Sequence, residues 1–211
     1  MASCIFCSIV KQEDKELCSK LENTILYEDN NVIITPALGM SIANYLMIVS
    51  KKHLNGFAEL SEKDLLKLES LLNNICNEYL KTLGVYPIIF EHGSLFEGRH
   101  PLSITHAHMH IIPVNLSQEK ITRLFDELKL KQEENIISIQ KMKYKDYWMY
   151  RSSSEKYHMS NSIMDAPRSC FIKLVAEENG FDNSYEWRDK ENNKKSDIEE
   201  TIKTFNKLNI R

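Results

Sequence analysis

The chain has 211 residues, and its 27 basic and 30 acidic side chains give a formal net charge of −3. This length accommodates one large domain or one domain with an extension. The charge balance provides no basic field and disfavours general nucleic-acid binding, although a few local cations are enough to bind a phosphorylated small molecule. We expect no secretory signal and no membrane span, because the start lacks a basic leader and no apolar run approaches about 20 residues.

The cysteines indicate a reducing compartment. Five are present, which is an odd number, and they form no repeating framework. Disulfide scaffolds normally show paired cysteines at regular spacings, so reduced thiols in a cytoplasmic protein fit this sequence best.

Residues 1–115 are predicted to form a catalytic domain of short strands around one long helix. Strands are expected at 24–27, 32–34, 45–49, 86–91 and 104–114. The helix begins after Ser61, which has capping-box spacing to Asp64, and its apolar residues recur at helical spacing until Gly84 ends it. Strands clustered around one helix predict an antiparallel sheet with segregated helices, which is the α+β class.

Residues 116–211 are predicted to form a mixed α+β extension packed on that domain. Helices are expected at 118–130, 167–178 and 193–208, and a strand is expected at 147–151. No internal repeat or long low-complexity linker separates the two parts. The second part is therefore interpreted as a folded extension.

Three histidines at alternate positions, His106, His108 and His110, are the most informative feature of the chain. On a strand, side chains of alternate residues lie on one face about 7 Å apart, so all three rings are expected on the same side. Burying three neutral imidazoles requires three sets of hydrogen-bond partners, which makes a purely structural row unfavourable. The row therefore predicts a functional site.

Cys4-Ile5-Phe6-Cys7 is the second feature, and a C-x-x-C pair is either a redox dithiol or half of a zinc site. Redox pairs usually follow a strand, whereas only three residues precede Cys4. Zinc would need two further ligands, and no second C-x-x-C is present. The candidates are His53 and one member of the histidine row.

The run from His106 to Pro113 resembles the signature of the histidine-triad superfamily of nucleotide hydrolases and transferases. The likeness extends back through Lys51-Lys52-His53, Tyr27-Glu28-Asp29 and the N-terminal cysteines, and covers about residues 3 to 115. The sequence Phe90-Glu91-His92-Gly93 and the long tail are similar to a diadenosine polyphosphate hydrolase-like subgroup. The resemblance implies a nucleotide as the small-molecule partner and leaves a homodimer open.

Specific roles follow from the resemblance alone. His108 would be the nucleophile that attacks an α-phosphorus and forms a nucleotidyl-histidine, and His110 would contact phosphate oxygens. In members with the cysteine pair, a structural zinc ion is held by the residues that correspond here to Cys4, Cys7, His53 and His106.

The remaining candidates lie where the chain departs from the family pattern or adds charge. Glu91 takes the usual Asn position and is a candidate substrate contact, while Leu102 takes a Gln position and Ser103 keeps the Ser that assists the leaving group. The family's ribose-binding Asp has no counterpart at residues 35–39. Additional candidates are the phosphate-attracting cations Arg99 and Lys51, and His100 as an alternative zinc ligand.

Two other functions stay open at this point. The missing Gln and Asp would fit a module that binds a nucleotide or a partner protein with little or no catalysis. Alternatively, all three histidines of the row could hold a catalytic metal of a hydrolase. The leading interpretation is a nucleotide hydrolase or transferase that cleaves a phosphoanhydride or phosphoramidate.

Overall fold

A computed structural model describes residues 4–93, 104–152, 156–161, 170–180 and 194–210. Within these residues, eight strands form one antiparallel sheet in the order β1-β2-β3-β5-β4-β7-β8-β6. The strands are β1 (Tyr27–Glu28), β2 (Val32–Pro36), β3 (Leu46–Ser50), β4 (Ile88–Gly93), β5 (His108–Ile112), β6 (Lys131–Glu133), β7 (Tyr147–Arg151) and β8 (Tyr157–Ser160). The predicted α+β class with an antiparallel sheet is confirmed.

Helices cover both faces of this sheet. The α-helices in the described residues are α1 (Ile5–Lys11), α2 (Lys15–Cys18), α3 (Glu62–Leu83), α4 (Gln118–Leu128), α5 (Cys170–Glu178) and α6 (Lys195–Phe205). Short 3-10 helices are found at Leu21–Asn23, Phe57–Glu59 and Ile136–Met142. Across the described ranges, none of these helices is long and apolar enough to span a membrane.

The long helix α3 covers one face of the sheet. Its apolar stripe packs on Met109 and Ile111 of β5 in the larger core of the protein. Ser61 caps the helix by accepting a hydrogen bond from the backbone N–H of Asp64 at 3.2 Å, and Gly84 ends it in a left-handed conformation with φ of 69°. The helix predicted from the sequence is confirmed at both ends.

The second face of the sheet carries His110 and is covered by helices of the C-terminal half. A second core combines Phe90 of β4 and Trp148 of β7 with Phe171 of α5 and Leu124 of α4. Strand β7 pairs with β4 along five residue pairs, so the sheet of the first half continues into the second half. The domain boundary at residue 115 stays a prediction.

The strand carrying the histidines is shorter than predicted. It begins at His108 rather than at residue 104, because the backbone N–H of Ala107 donates to the carbonyl of Leu54 at 2.7 Å and that of His106 to Ile104 at 3.0 Å. These two bonds turn the backbone just before the ladder. His106 therefore lies at the entrance of the strand, and the expectation that all three histidines lie on one strand is wrong for this residue.

Other elements were absent from the sequence-based expectations or differ in extent. Helix α1 begins directly after Cys4 and contains Cys7, and strands β6 and β8 enlarge the sheet. Helices α4 and α6 are shorter than predicted, and α5 is described only from Cys170, so the expected start at residue 167 lies outside the described residues. Strand β7 has the predicted bounds.

Candidate functional site

Four potential metal ligands converge at the N-terminal end of β5. One ligand atom from each of Cys4, Cys7, His53 and His106 lies within 4.8 Å of the others, and this is the one such group among the residues that the structure describes. His106 Nδ1 is 3.4 Å from Cys4 Sγ and 3.7 Å from Cys7 Sγ, and His53 Nδ1 is 3.2 Å from Cys7 Sγ. These residues come from α1, the loop after β3 and the entrance of β5.

The orientation of His106 suits a metal ligand. Its Nε2–H donates to the backbone carbonyl of Ser50 at 2.7 Å, so Nδ1 carries the lone pair and faces the two thiols. Metal-binding histidines typically use their second ring nitrogen in this way, because the hydrogen bond fixes the tautomer and the ring plane. Two sulfur and two nitrogen donors also match a closed tetrahedral zinc site. The residues present therefore fit a structural zinc ion.

Electrostatics at the cysteine pair favour a cation. Burial, and next the proximity of Cys4, raise the pKa of the Cys7 thiol. Two thiolates this close repel each other, and a positive ion placed between them would reverse that effect and favour deprotonation.

His108, the first residue of β5, has the orientation of a nucleophile. Its Nδ1–H donates to the backbone carbonyl of His106 at 2.6 Å, so the lone pair is on Nε2. Burial lowers the pKa of this imidazole, which keeps the ring in its neutral form. A neutral ring with one nitrogen fixed and the other free can attack an electrophile.

Phe6 connects the metal-ligand cluster to His108. This residue stands between Cys4 and Cys7 on α1, and its ring lies 5.5 Å from the ring of His106 and 5.4 Å from that of His108, measured between centroids. An aromatic ring in edge or tilted contact restricts the motion of both imidazoles. The helix that bears the thiols thus also packs against the candidate nucleophile.

His110 is held by two aromatic residues. The hydroxyl of Tyr45 lies 2.5 Å from His110 Nδ1, and the ring of Phe90 stacks on the imidazole at a centroid distance of 4.7 Å. Burial lowers the pKa of His110 well below its ordinary value and raises that of Tyr45, so both groups are neutral near pH 7. The rings of His108 and His110 are 5.1 Å apart in an edge-to-face arrangement.

Two predicted substrate contacts have protein partners in the structure. Glu91 is opposite Met109 in the sheet, and its fully buried carboxylate faces the α3 side, where it accepts hydrogen bonds from the Phe57 N–H at 2.8 Å and the Tyr147 hydroxyl at 2.6 Å. Glu91 is thus bound within the core, and its contact with substrate stays a prediction. Lys51 forms an ion pair with Glu28, and its role as a phosphate-attracting cation stays a prediction.

The other predicted residues lie outside the described residues. These are Ser103, Arg99 and the alternative zinc ligand His100. Conversely, sequence reasoning missed Tyr45, Phe6 and the carbonyl of Ser50. Tyr45 was expected in a strand, but only the register of β3 against β5 places it near His110, and no local pattern carries that information.

A model of a known protein family matches more than half of the chain. The family model described as "Scavenger mRNA decapping enzyme C-term binding" matches residues 3–124. No curated protein shows significant similarity to the chain.

Several solved structures are similar at low identity. A zinc-bound histidine triad family protein from Mycobacterium smegmatis is 16% identical, with 56% of this chain and 78% of that chain covered and a TM-score of 0.41. A HIT family hydrolase from Clostridium thermocellum is 22% identical, with 55% and 93% covered and a TM-score of 0.38. A histidine triad protein from Clostridium difficile is 21% identical, with 56% and 95% covered and a TM-score of 0.37.

Proposed function

Because the chain belongs to the family described as scavenger mRNA decapping enzyme C-term binding, which has the histidine-triad fold, we propose that it is a nucleotide hydrolase or transferase. It would cleave a phosphoanhydride or phosphoramidate bond of a nucleotide through a covalent nucleotidyl-histidine. The substrate classes to test are dinucleoside polyphosphates, as in the diadenosine polyphosphate hydrolase-like subgroup, nucleoside phosphoramidates and, from the family description, mRNA cap dinucleotides.

The orientation of His108 carries this proposal. The 2.6 Å hydrogen bond from its Nδ1–H to the carbonyl of His106 leaves Nε2 as the attacking atom. The electron pair of Nε2 would form a bond to the α-phosphorus while the bond from phosphorus to the leaving oxygen or nitrogen breaks. A water molecule would then attack the same phosphorus, release the nucleoside monophosphate and return the electron pair to Nε2.

His110 would stabilise the charge that develops on the phosphoryl oxygens. If the Tyr45 hydroxyl donates to Nδ1, the proton of the neutral imidazole is on Nε2, and that N–H can donate to a phosphate oxygen. Ser103 would assist the leaving group, and Arg99 and Lys51 would attract the phosphates. The role of Ser103 rests on the resemblance, and those of Arg99 and Lys51 rest on the positive charge of their side chains.

The metal ligands would be Cys4, Cys7, His53 and His106. A bound zinc ion would anchor the structure and would not supply a reactive water, because four protein ligands would fill its coordination sphere. The ligands would fix α1 and the entrance of β5. His106 then keeps its carbonyl in position to accept the hydrogen bond from His108 Nδ1–H. We also propose a cytoplasmic location, because these thiols must stay reduced. A homodimer stays a prediction, which sedimentation analysis can test.

The test compares wild type with His108→Ala and with His158→Ala, a matched control. His158 is also a partly buried histidine with a lowered pKa, but its ring packs on Phe125 at 4.4 Å. Each protein is incubated with the three substrate classes, and released nucleoside monophosphate is measured. Intact-protein mass spectrometry after rapid quenching detects the nucleotidyl adduct. We expect turnover and adduct in wild type and in the control, and neither in His108→Ala.

Other outcomes would contradict the proposal. Turnover retained in His108→Ala would exclude a covalent His108 intermediate. Calorimetric binding of nucleotides without turnover or adduct in wild type would favour the binding module instead. The third function, with the histidine row as catalytic metal ligands, predicts a metal bound by nitrogen alone, whereas the group described here has two sulfur and two nitrogen donors.

A further inference from the structure

Helix α6, at the C-terminal end of the chain, contacts the segment that leads to Tyr45. The hydroxyl of Thr201 accepts a hydrogen bond from the backbone N–H of Asn44 at 2.7 Å and donates to the carbonyl of Asp197 at 2.7 Å. Asn44 has a left-handed conformation with φ of 64°, and its carbonyl accepts from the hydroxyl of Tyr79 at 2.7 Å. Both sides of this residue are therefore fixed immediately before Tyr45.

Helix α5 reaches the same histidine through stacked rings. Phe171 stacks on Phe90 at a centroid distance of 5.1 Å, and Phe90 stacks on His110 at 4.7 Å. Phe171 also stacks on Tyr150 at 5.3 Å and is 1% exposed. Phe90 is thus clamped between the imidazole of His110 and a ring from the C-terminal part of the chain.

The two contacts approach His110 from different sides. The contact from Thr201 fixes the backbone next to Tyr45, whose hydroxyl lies 2.5 Å from His110 Nδ1. The contact from Phe171 fixes the ring of Phe90, on which the imidazole stacks. A hydrogen bond and a stacked ring together restrict both the rotation and the tilt of an imidazole. Either one alone would leave a degree of freedom open.

We propose that the C-terminal part of the chain holds His110 in its working orientation, and that Thr201 and Phe171 are positioning residues for this histidine. The inference rests on the proposed function, in which His110 contacts the transferred phosphoryl group. Both residues lie beyond the family match, which ends at residue 124. The extension would accordingly be an added part of the catalytic apparatus, acting through Tyr45 and Phe90 without touching substrate.

The test uses the 211-residue chain and paired variants. Thr201→Val removes the hydroxyl and keeps the shape, Thr201→Ser restores the hydroxyl, and Thr204→Val is the matched control. Thr204 is buried on the same helix at 5% exposure, but its hydroxyl donates to Glu200. For the stacked contact, Phe171→Leu is compared with Phe125→Leu, because Phe125 packs on Tyr150 and His158 instead of Phe90.

The first readout is the side-chain nitrogen spectrum of histidine-labelled protein, with His110 assigned from the spectrum of His110→Gln. We expect Thr201→Val and Phe171→Leu to shift the His110 signals, while Thr201→Ser and both controls leave them at the wild-type positions. The second readout is steady-state kinetics. Thr201→Val loses the hydrogen bond from the Asn44 N–H, and this loss should lower kcat about tenfold and change KM much less.

The outcomes separate this inference from the proposed function. Unchanged His110 signals in both Thr201→Val and Phe171→Leu would overturn the positioning role, whatever the activity. Equal shifts in the controls would also overturn it, since they would indicate general loosening of the core. A third outcome is that the two variants shift the His110 signals while wild type shows no turnover on any substrate. That outcome would support the positioning role and contradict the proposed function.

Discussion

Replacing Glu91 with Gln should make the protein more stable at pH 8 than wild type and leave the two proteins much closer at pH 5. Glu91 is fully buried between β4 and the 3-10 helix at Phe57–Glu59. Burial raises its pKa from an ordinary value of 4.5 to about 8, and the hydrogen bonds from Tyr147 and from the Phe57 N–H only partly oppose this rise. Gln keeps an acceptor for the Phe57 N–H and carries no charge at any of these pH values.

The sign follows from proton binding in the two states. Between pH 4.5 and about 8 the folded protein keeps a proton on Glu91, whereas the unfolded chain has lost it. Stability therefore falls as pH rises through this window. Each pH unit is worth about 1.4 kcal/mol, so the free energy of unfolding of wild type should fall by about 4 kcal/mol relative to Glu91→Gln between pH 5 and pH 8.

Urea unfolding at several pH values measures this difference directly. Glu62→Gln is the matched control, because it makes the same chemical change at a glutamate that is exposed in the first turn of α3. Subtracting each variant from wild type cancels the titration of all other groups. A difference between wild type and Glu91→Gln that stays constant from pH 5 to pH 8 would refute the reasoning, as would an equal trend in Glu62→Gln.

Three further predictions concern stability. Chelation of bound metal should lower the melting temperature of wild type, because metal binding adds to folding free energy. Cys7→Ser should melt at the temperature of chelated wild type, with or without chelator. Equal melting temperatures of all samples would contradict a structural metal. Gly93→Ala should cost about 3 kcal/mol, since its Cβ would lie 2.0 Å from Tyr147 Cε1, and Tyr147→Leu in the same chain should recover part of the loss in a double-mutant cycle. Ser61→Ala should cost about 1 kcal/mol in urea unfolding through the lost helix cap, and Ser61→Thr should cost much less; equal losses would assign the effect to something other than the cap.

Local patterns in the sequence were sufficient for the elements whose signals are strong. Helix α3 has a cap, a stripe at helical spacing and a terminal glycine, and both of its ends agree with the prediction. The α+β class followed from the same reasoning. For the metal ligands, residue chemistry supplied the cysteine pair and a choice among histidines, and the resemblance supplied the specific set that the fold brings together.

Contacts between distant parts of the chain could not be predicted in this way. The hydrogen bond between Asn44 and Thr201 joins residues 157 positions apart, and neither residue stands in a pattern that marks the other. Register was also inaccessible, because a shift of one residue exchanges the two faces of a strand. Glu91 shows the consequence: its position opposite Met109 directs the carboxylate to the α3 side, away from the histidines.

The pairing of β7 with β4 also has a consequence for laboratory handling of this protein. Cutting the chain where the family match ends would remove β7 and leave the five paired positions of β4, from Ile89 to Gly93, without their neighbour. A bare, apolar ribbon of this kind offers open N–H and C=O groups to any other chain and invites self-association. A fragment trimmed to the shared family region would therefore be prone to aggregate, and expression of the whole chain is the sounder starting point for biochemistry.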